Sequence, residues 1–198
     1  VSIVDSLMIN NLYAIHIGGA LDPRYRAFLA ERRGLLLGRE IETIVSDACD
    51  YHQLSRILAA VKPEVVVHLA AVAHIDRANK DPWSTFRHTL QTLENAIDVG
   101  AALGIAHFVY VSSSTVYGDF TVPVVDETAP CEPRGIYAAL KLSAEMILRE
   151  HGRLKRVPYT IVRPSAAYGP RCISRRVVQQ FIESALDGVP LVIRASVG

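Results

Sequence analysis

Tyr137 and Lys141 stand four residues apart in the stretch RGIYAALKLSAE. Residues at that spacing share one face of a helix, with Cβ atoms about 5–6 Å apart. An ammonium so close favours the phenolate form of a tyrosine and so makes a base of it. A free tyrosine loses its proton near pH 10, so a tyrosine base at neutral pH needs about 4 kcal/mol of stabilisation. A unit charge at about 5 Å in an effective dielectric of about 20 supplies roughly 3 kcal/mol. Lysine can therefore do most of the work, and a cationic cofactor nearby can do the rest. The pair alone is weak evidence, because eight tyrosines and four lysines produce some such spacing by chance. The context carries more: the run VYVSSSTVYG lies upstream and VRPSAAYGP downstream.

A sheet must hold these segments in place. The chain opens on a strand, VSIVD, and residues 8–40 form a long connection with a helix from Tyr25 to Leu36. A strand follows from Ile41 to Asp47, then a helix capped by Asp50 with Leu54, Ile57, Leu58 and Val61 on one face. The run from Glu64 to Ala71, EVVVHLAA, is predominantly apolar, as for a strand buried on both faces. Asp81-Pro82 starts a helix that Gly104 ends. AHFVYVSSS is the next strand, and a Pro/Gly-rich loop separates it from the helix of Tyr137. PYTIVRP, a helix from about Ser174 to Leu186 ended by Gly188, and a short strand PLVIR complete the chain. Strands alternating with helices predict an α/β fold with a parallel sheet.

Bulk properties exclude several function classes. Half of the 198 residues are hydrophobic, 21% are charged, and the net charge is +1. That balance offers nothing for nucleic acid or an anionic membrane surface. No apolar run approaches the roughly 18 residues of a membrane span. Cys49, Cys131 and Cys172 are few and far apart, as for free thiols in a reducing cytoplasm. The histidines show no metal-ligand spacing, so no metal is expected.

Parallel sheets bind ligands at the carboxyl ends of their strands. Asp5 at the first such end can accept two hydrogen bonds from a ribose diol and would repel a 2′-phosphate, which favours NAD over NADP. Asp47, followed by Ala48, can receive an adenine amino group, whereas Asp50 is a helix cap. Leu69, Ala70 and Ala71 let a cofactor approach the backbone, and equally suit simple packing. Val111 and Ser112 end the next strand, and Ser113 offers the hydroxyl to pair with Tyr137 on a substrate oxygen. Arg163 reads as a structural salt-bridging group. Pro164 leaves a carbonyl free for a nicotinamide amide. His68 and His74 read as structural.

Taken together, VSIVD, VVVHLAA, VYVSSSTVYG, YAALK and VRPSAAYGP resemble the NAD-dependent epimerase/dehydratase family, the extended short-chain dehydrogenases of nucleotide sugars. The resemblance implies a Rossmann-like doubly wound fold with NAD as cofactor and a nucleotide sugar as substrate. By it, Tyr137 is the general base, Lys141 its pKa-lowering and ribose-binding partner, and Ser113 the third catalytic group. Asp5, Asp47, Leu69, Ala70, Ala71, Ser112 and Pro164 fall where the family contacts NAD, and His88 stands where an asparagine is expected. Ser114 and Thr115 occupy places where dehydratases carry acidic residues, which favours epimerisation. Ala166 replaces an asparagine that in relatives touches the sugar nucleotide's phosphates, so that contact would come from Arg171 or Arg175.

The family's first strand and glycine-rich turn have no counterpart, and Gly18-Gly19 lies in the wrong place to serve. The chain therefore reads as a fragment: residues 1–170 a truncated NAD-binding domain, residues 171–198 the start of a substrate region. A homodimer through helices spanning 81–103 and 137–151 is the expected assembly. Within the family a 4,6-dehydratase or a reductase is the alternative reaction; a non-catalytic dinucleotide-binding protein is the alternative from another class.

Overall fold

The computed structural model describes residues 1–7, 23–72, 75–173 and 177–191. The chain divides into two compact units. The first comprises Val1–Ser6 and Thr43–Ser165, the second Leu7–Glu42 and Ala166–Gly198.

In the first unit, β1 (Ser2–Asp5) pairs with β2 (Glu42–Val45) in a two-stranded sheet. A three-stranded sheet joins β3 (Val65–His68), β4 (His107–Val111) and β5 (Tyr159–Val162) in sequence order. Both of its pairings are parallel, with Val67 opposite Val109 and Val109 opposite Thr160. This register brings the carboxyl ends of all three strands to one edge, where the serine run and Arg163-Pro164 follow.

Helices cover one face of that sheet. The helix α2 (Tyr51–Val61) starts as its sequence predicts: the Asp50 carboxylate accepts the Gln53 N–H at 2.9 Å. Its Leu54 and Leu58 are buried against Leu93, Ile97, Phe108 and Leu148. Leu93, Ile97 and Phe108 are fully buried, each contributing about 1.5–3 kcal/mol by leaving water. The opposite face of β3 is open among the described residues: Val65 is 47% and Val67 54% exposed. Burial of this strand on both faces, expected from its apolar run, is therefore not found. Only the alternate positions Val66 and His68 turn toward the core.

The helix expected from Asp81 to Gly104 is present but interrupted. Asp81 caps α4 (Pro82–Phe86), which comes after the short α3 (Ile75–Lys80). A π-helical turn, Arg87–Gln91, leads into α5 (Thr92–Leu103), which Gly104 ends in the left-handed conformation. The extra residue in this turn rotates the faces of α5 relative to those of α4, and such turns recur at functional sites. The helix of Tyr137, α6, spans Gly135–Lys155.

In the second unit, α1 (Pro23–Leu37) carries Tyr25, whose hydroxyl donates to Glu183 of α7 (Val177–Leu186) at 2.6 Å. Arg24 pairs with Asp187. The Gly18-Gly19 pair, His74, Arg175 and most of the PLVIR segment lie outside the described residues.

Candidate active site

Hydrogen bonds tie α6 to the ends of β4 and β5. Lys141 is 3% exposed and its ammonium donates to the Val111 carbonyl at 2.7 Å. The same nitrogen lies 4.9 Å from the centre of the Tyr110 ring. Tyr137, one turn earlier on this helix, is half-buried. Lys141 therefore does more than flank a tyrosine: it fixes a positive charge at the carboxyl end of the central strand.

Burial pulls the Lys141 pKa down from 10.5 to about 8, and the nearby Glu145 carboxylate works against that pull. The ammonium stays charged at neutral pH but loses its proton far earlier than an exposed lysine. An unfolded chain holds the proton until about pH 10.4. Between these values the unfolded state binds more protons, so stability rises with pH. From about pH 8.5 the raised pKa of Cys49 acts in the opposite direction, so the lysine's part is read as the difference between wild type and Lys141→Met, which carry the same thiol. Between pH 8 and 9 urea unfolding should show the wild type gaining roughly 1 kcal/mol on Lys141→Met. An unchanged difference between the two would refute the buried ammonium.

Glu145, one further turn along α6, is fully buried. Its carboxylate accepts the Ser112 hydroxyl at 2.6 Å and the Arg163 guanidinium at 3.0 and 2.7 Å. Arg163 also donates to the Tyr117 hydroxyl at 3.0 Å. One carboxylate thus ties the helix of Tyr137 to the ends of two strands. Arg163 is the structural group expected from the sequence; Glu145 is a residue that sequence reasoning missed. The available signal was its place four residues after Lys141, between the buried Ala144 and Leu148.

Ser113 is buried at 9% exposure, and its oxygen accepts from the Thr115 N–H and hydroxyl at 3.2 and 2.9 Å. It caps the short turn Ser114–Tyr117. Ser112 faces Glu145 and passes its N–H to Val162. The Pro164 carbonyl, expected to be free, accepts the Ser114 N–H at 2.9 Å. Its second lone pair is what remains for a ligand.

The other expected contacts sit on separate strand ends of the first unit. Asp5 ends β1, and its carbonyl receives the Ser46 N–H. The Asp47 carboxylate accepts the Cys49 N–H at 2.8 Å, and the Ala48 carbonyl accepts the Asn95 amide at 2.9 Å. Leu69 and Ala70 are exposed just beyond β3, with Ala71 half-buried. His88 lies in the π-helical turn, its Nδ1 3.6 Å from the Cys49 sulfur. His68 is enclosed between aromatic rings, with its pKa lowered to about 3 by burial and by the Lys141 charge. A permanently neutral imidazole there is part of the core.

Ala166 and Arg171 belong to the second unit. Arg171 pairs with Glu31 at 2.8 Å and lines a recess of about 430 Å³ with Arg32 and Tyr168.

The sequence profile of the NAD dependent epimerase/dehydratase family matches residues 8–196. The chain belongs to this family. Epimerase/dehydratase relatives span both reactions. A dTDP-glucose 4,6-dehydratase of Neisseria gonorrhoeae is 30% identical over 158 residues, 74% of this chain and 46% of that protein. A probable UDP-glucuronate 4-epimerase of Rhizobium meliloti is 28% identical over 176 residues, 87% of this chain and 52% of that protein. The chain thus spans about half the length of these curated relatives. Among solved structures, the UDP-glucose 4-epimerase of Thermotoga maritima with UDP-glucose superposes with a TM-score of 0.81 at 24% identity. The superposition covers 98% of this chain and 58% of that one. The fold is the Rossmann-like α/β fold of these epimerase structures. Among the described residues no helix is long and apolar enough to cross a membrane.

Proposed function

We propose that the protein carrying this chain is a nucleotide-sugar epimerase that oxidises a sugar hydroxyl, at C4 by the family resemblance, and re-reduces it on the opposite face. The observation that carries this reading is the Tyr137/Lys141 face of α6, with the ammonium anchored on Val111 beside Ser113. Ser114 and Thr115, the next two residues, bring no carboxylate to protonate a neighbouring carbon.

In this cycle Tyr137 takes the proton of the sugar hydroxyl as its general base. Lys141 keeps a positive charge near that phenol, at a position fixed by its carbonyl partner. Ser113 hydrogen-bonds the substrate oxygen; its hydroxyl hydrogen is available because both Thr115 groups donate to it. When the proton returns from Tyr137 the alcohol is restored. A bound NAD would supply the hydride acceptor for the oxidation and the donor for the re-reduction.

The residues present fit such a cofactor. The Lys141 charge is buried at the strand ends, and Asp5, exposed at the end of β1, has the chemistry to take a ribose diol. Asp47 and Ala48 would meet the adenine, with Leu69, Ala70 and Ala71 along the backbone approach. His88, Val111, Ser112 and the Pro164 carbonyl would complete the contacts. In the second unit, Arg171 is the group proposed for the substrate's phosphates, with Ala166 beside the substrate in place of the expected asparagine. The homodimer of the same reading would use the helices of residues 81–103 and 137–151, which carry exposed Trp83, Phe86 and Met146.

The second reading is a 4,6-dehydratase, favoured by the 30% identity to the Neisseria enzyme. Product analysis with UDP- and dTDP-sugars separates the two. The expected result is an epimer without net cofactor consumption; a 4-keto-6-deoxy product would instead establish dehydration.

A further inference from the structure

We propose that Asp47, Cys49 and His88 form a binding site for a thiophilic divalent cation of the Zn²⁺ class, with one coordination position left open. One donor atom from each residue lies within 4.8 Å of the other two. The donors are a carboxylate, a thiol and an imidazole, a set that suits Zn²⁺ and is too soft for Mg²⁺ or Ca²⁺. With Zn–S of about 2.3 Å and Zn–N of about 2.05 Å, tetrahedral ligands stand about 3.6 Å apart. The Cys49 sulfur and His88 Nδ1 are 3.6 Å apart. Sequence spacing gave no sign of a metal because the ligands come from a strand-end loop and a helix 39 positions later. Only the fold joins them.

The site is built rather than incidental. The Cys49 N–H is held by Asp47 at 2.8 Å. Its carbonyl is held by the amides of Asn95 at 3.0 Å and Gln91 at 3.3 Å. Asn95 is itself buried and also holds the Ala48 carbonyl. The Thr92 hydroxyl fixes the His88 carbonyl at 2.8 Å. These bonds lock the backbone around two of the three ligands. The π-helical turn supplies the third contribution by carrying His88 to the thiol. In the structure the Cys49 thiol donates to the Arg87 carbonyl at 3.6 Å, a contact that metal binding would replace.

Binding converts the Cys49 thiol to a thiolate and releases one proton to solvent, with no redox change. If Asp47 receives adenine, as the proposed function has it, metal and dinucleotide exclude each other, and that clause rests on the proposed function. The site itself does not.

The test is Co²⁺ titration of the full-length protein without added dinucleotide. One equivalent should produce a near-ultraviolet thiolate-to-metal charge-transfer band that Zn²⁺ abolishes. Cys49→Ser should remove the band. His88→Asn, which installs the residue the family resemblance leads one to expect, should keep the fold by circular dichroism and weaken binding at least tenfold. No band at one equivalent, or a band that survives in Cys49→Ser, overturns the site. Adding NAD to the Co²⁺-loaded protein then reads the exclusion separately. Loss of the band supports it, and an unchanged band with NAD bound refutes the adenine position while leaving the metal site standing.

Discussion

Tyr137→Phe in the full-length protein should lower kcat by about 10²–10⁴-fold, the range ascribed to a positioned general base. The substitution removes one oxygen and leaves the buried face of α6 untouched, since Ala138, Ala144 and Leu148 provide its packing. The variant should therefore still fold, as circular dichroism would show. Lys141→Met should also lower kcat, and for a different reason: it deletes the charge while sparing the base. The two variants differ in their pH profiles. In Lys141→Met the remaining activity should climb with pH as the phenol titrates unaided, whereas Tyr137→Phe should show no such limb. Full turnover by Tyr137→Phe would remove this tyrosine from the reaction.

These variants rest on a helix face that the sequence displays directly, because an i, i+4 relation is fixed by helical geometry alone. The Asp50 cap and the Leu54/Leu58 face were legible for the same reason. What sequence could not show depends on distant chain. The run Glu64–Ala71 announces a strand but not which of its faces a helix will cover. The π-helical turn at Arg87–Gln91 is invisible to a 3.6-residue period, and with it the approach of His88 to Cys49. Spacing pointed the Lys141 charge at Tyr137, and the fold adds what spacing could not show, a hydrogen bond from its ammonium to the Val111 carbonyl thirty positions away. Glu145 was the most consequential omission. In SAEMILRE it looks like one more solvated glutamate, and only Ser112 and Arg163, from two strands, reveal it as buried.

Removing that carboxylate should be the most damaging change to the fold. Glu145→Gln should destabilise the protein by about 3–5 kcal/mol, because the Arg163 guanidinium would be left largely buried without its counter-charge. A typical domain is stable by only about 5–15 kcal/mol, so urea midpoints should fall steeply. The magnitude reflects an abandoned charge rather than an intrinsically strong pair. Glu145→Leu combined with Arg163→Met should accordingly cost much less than the sum of the single changes, since the guanidinium is no longer left behind without its carboxylate. Strict additivity would show that the two residues act apart, against their bidentate contact. The effect should also reach the chemistry. Glu145 opposes the burial that lowers the Lys141 pKa, so Glu145→Gln should make that ammonium lose its proton at lower pH. Activity in Glu145→Gln should then decline at a lower alkaline pH than in the wild type, as the charge near Tyr137 is lost earlier. A merely structural Glu145 would lower stability and leave that alkaline limb in place; a displaced limb makes it the residue that keeps the lysine charged.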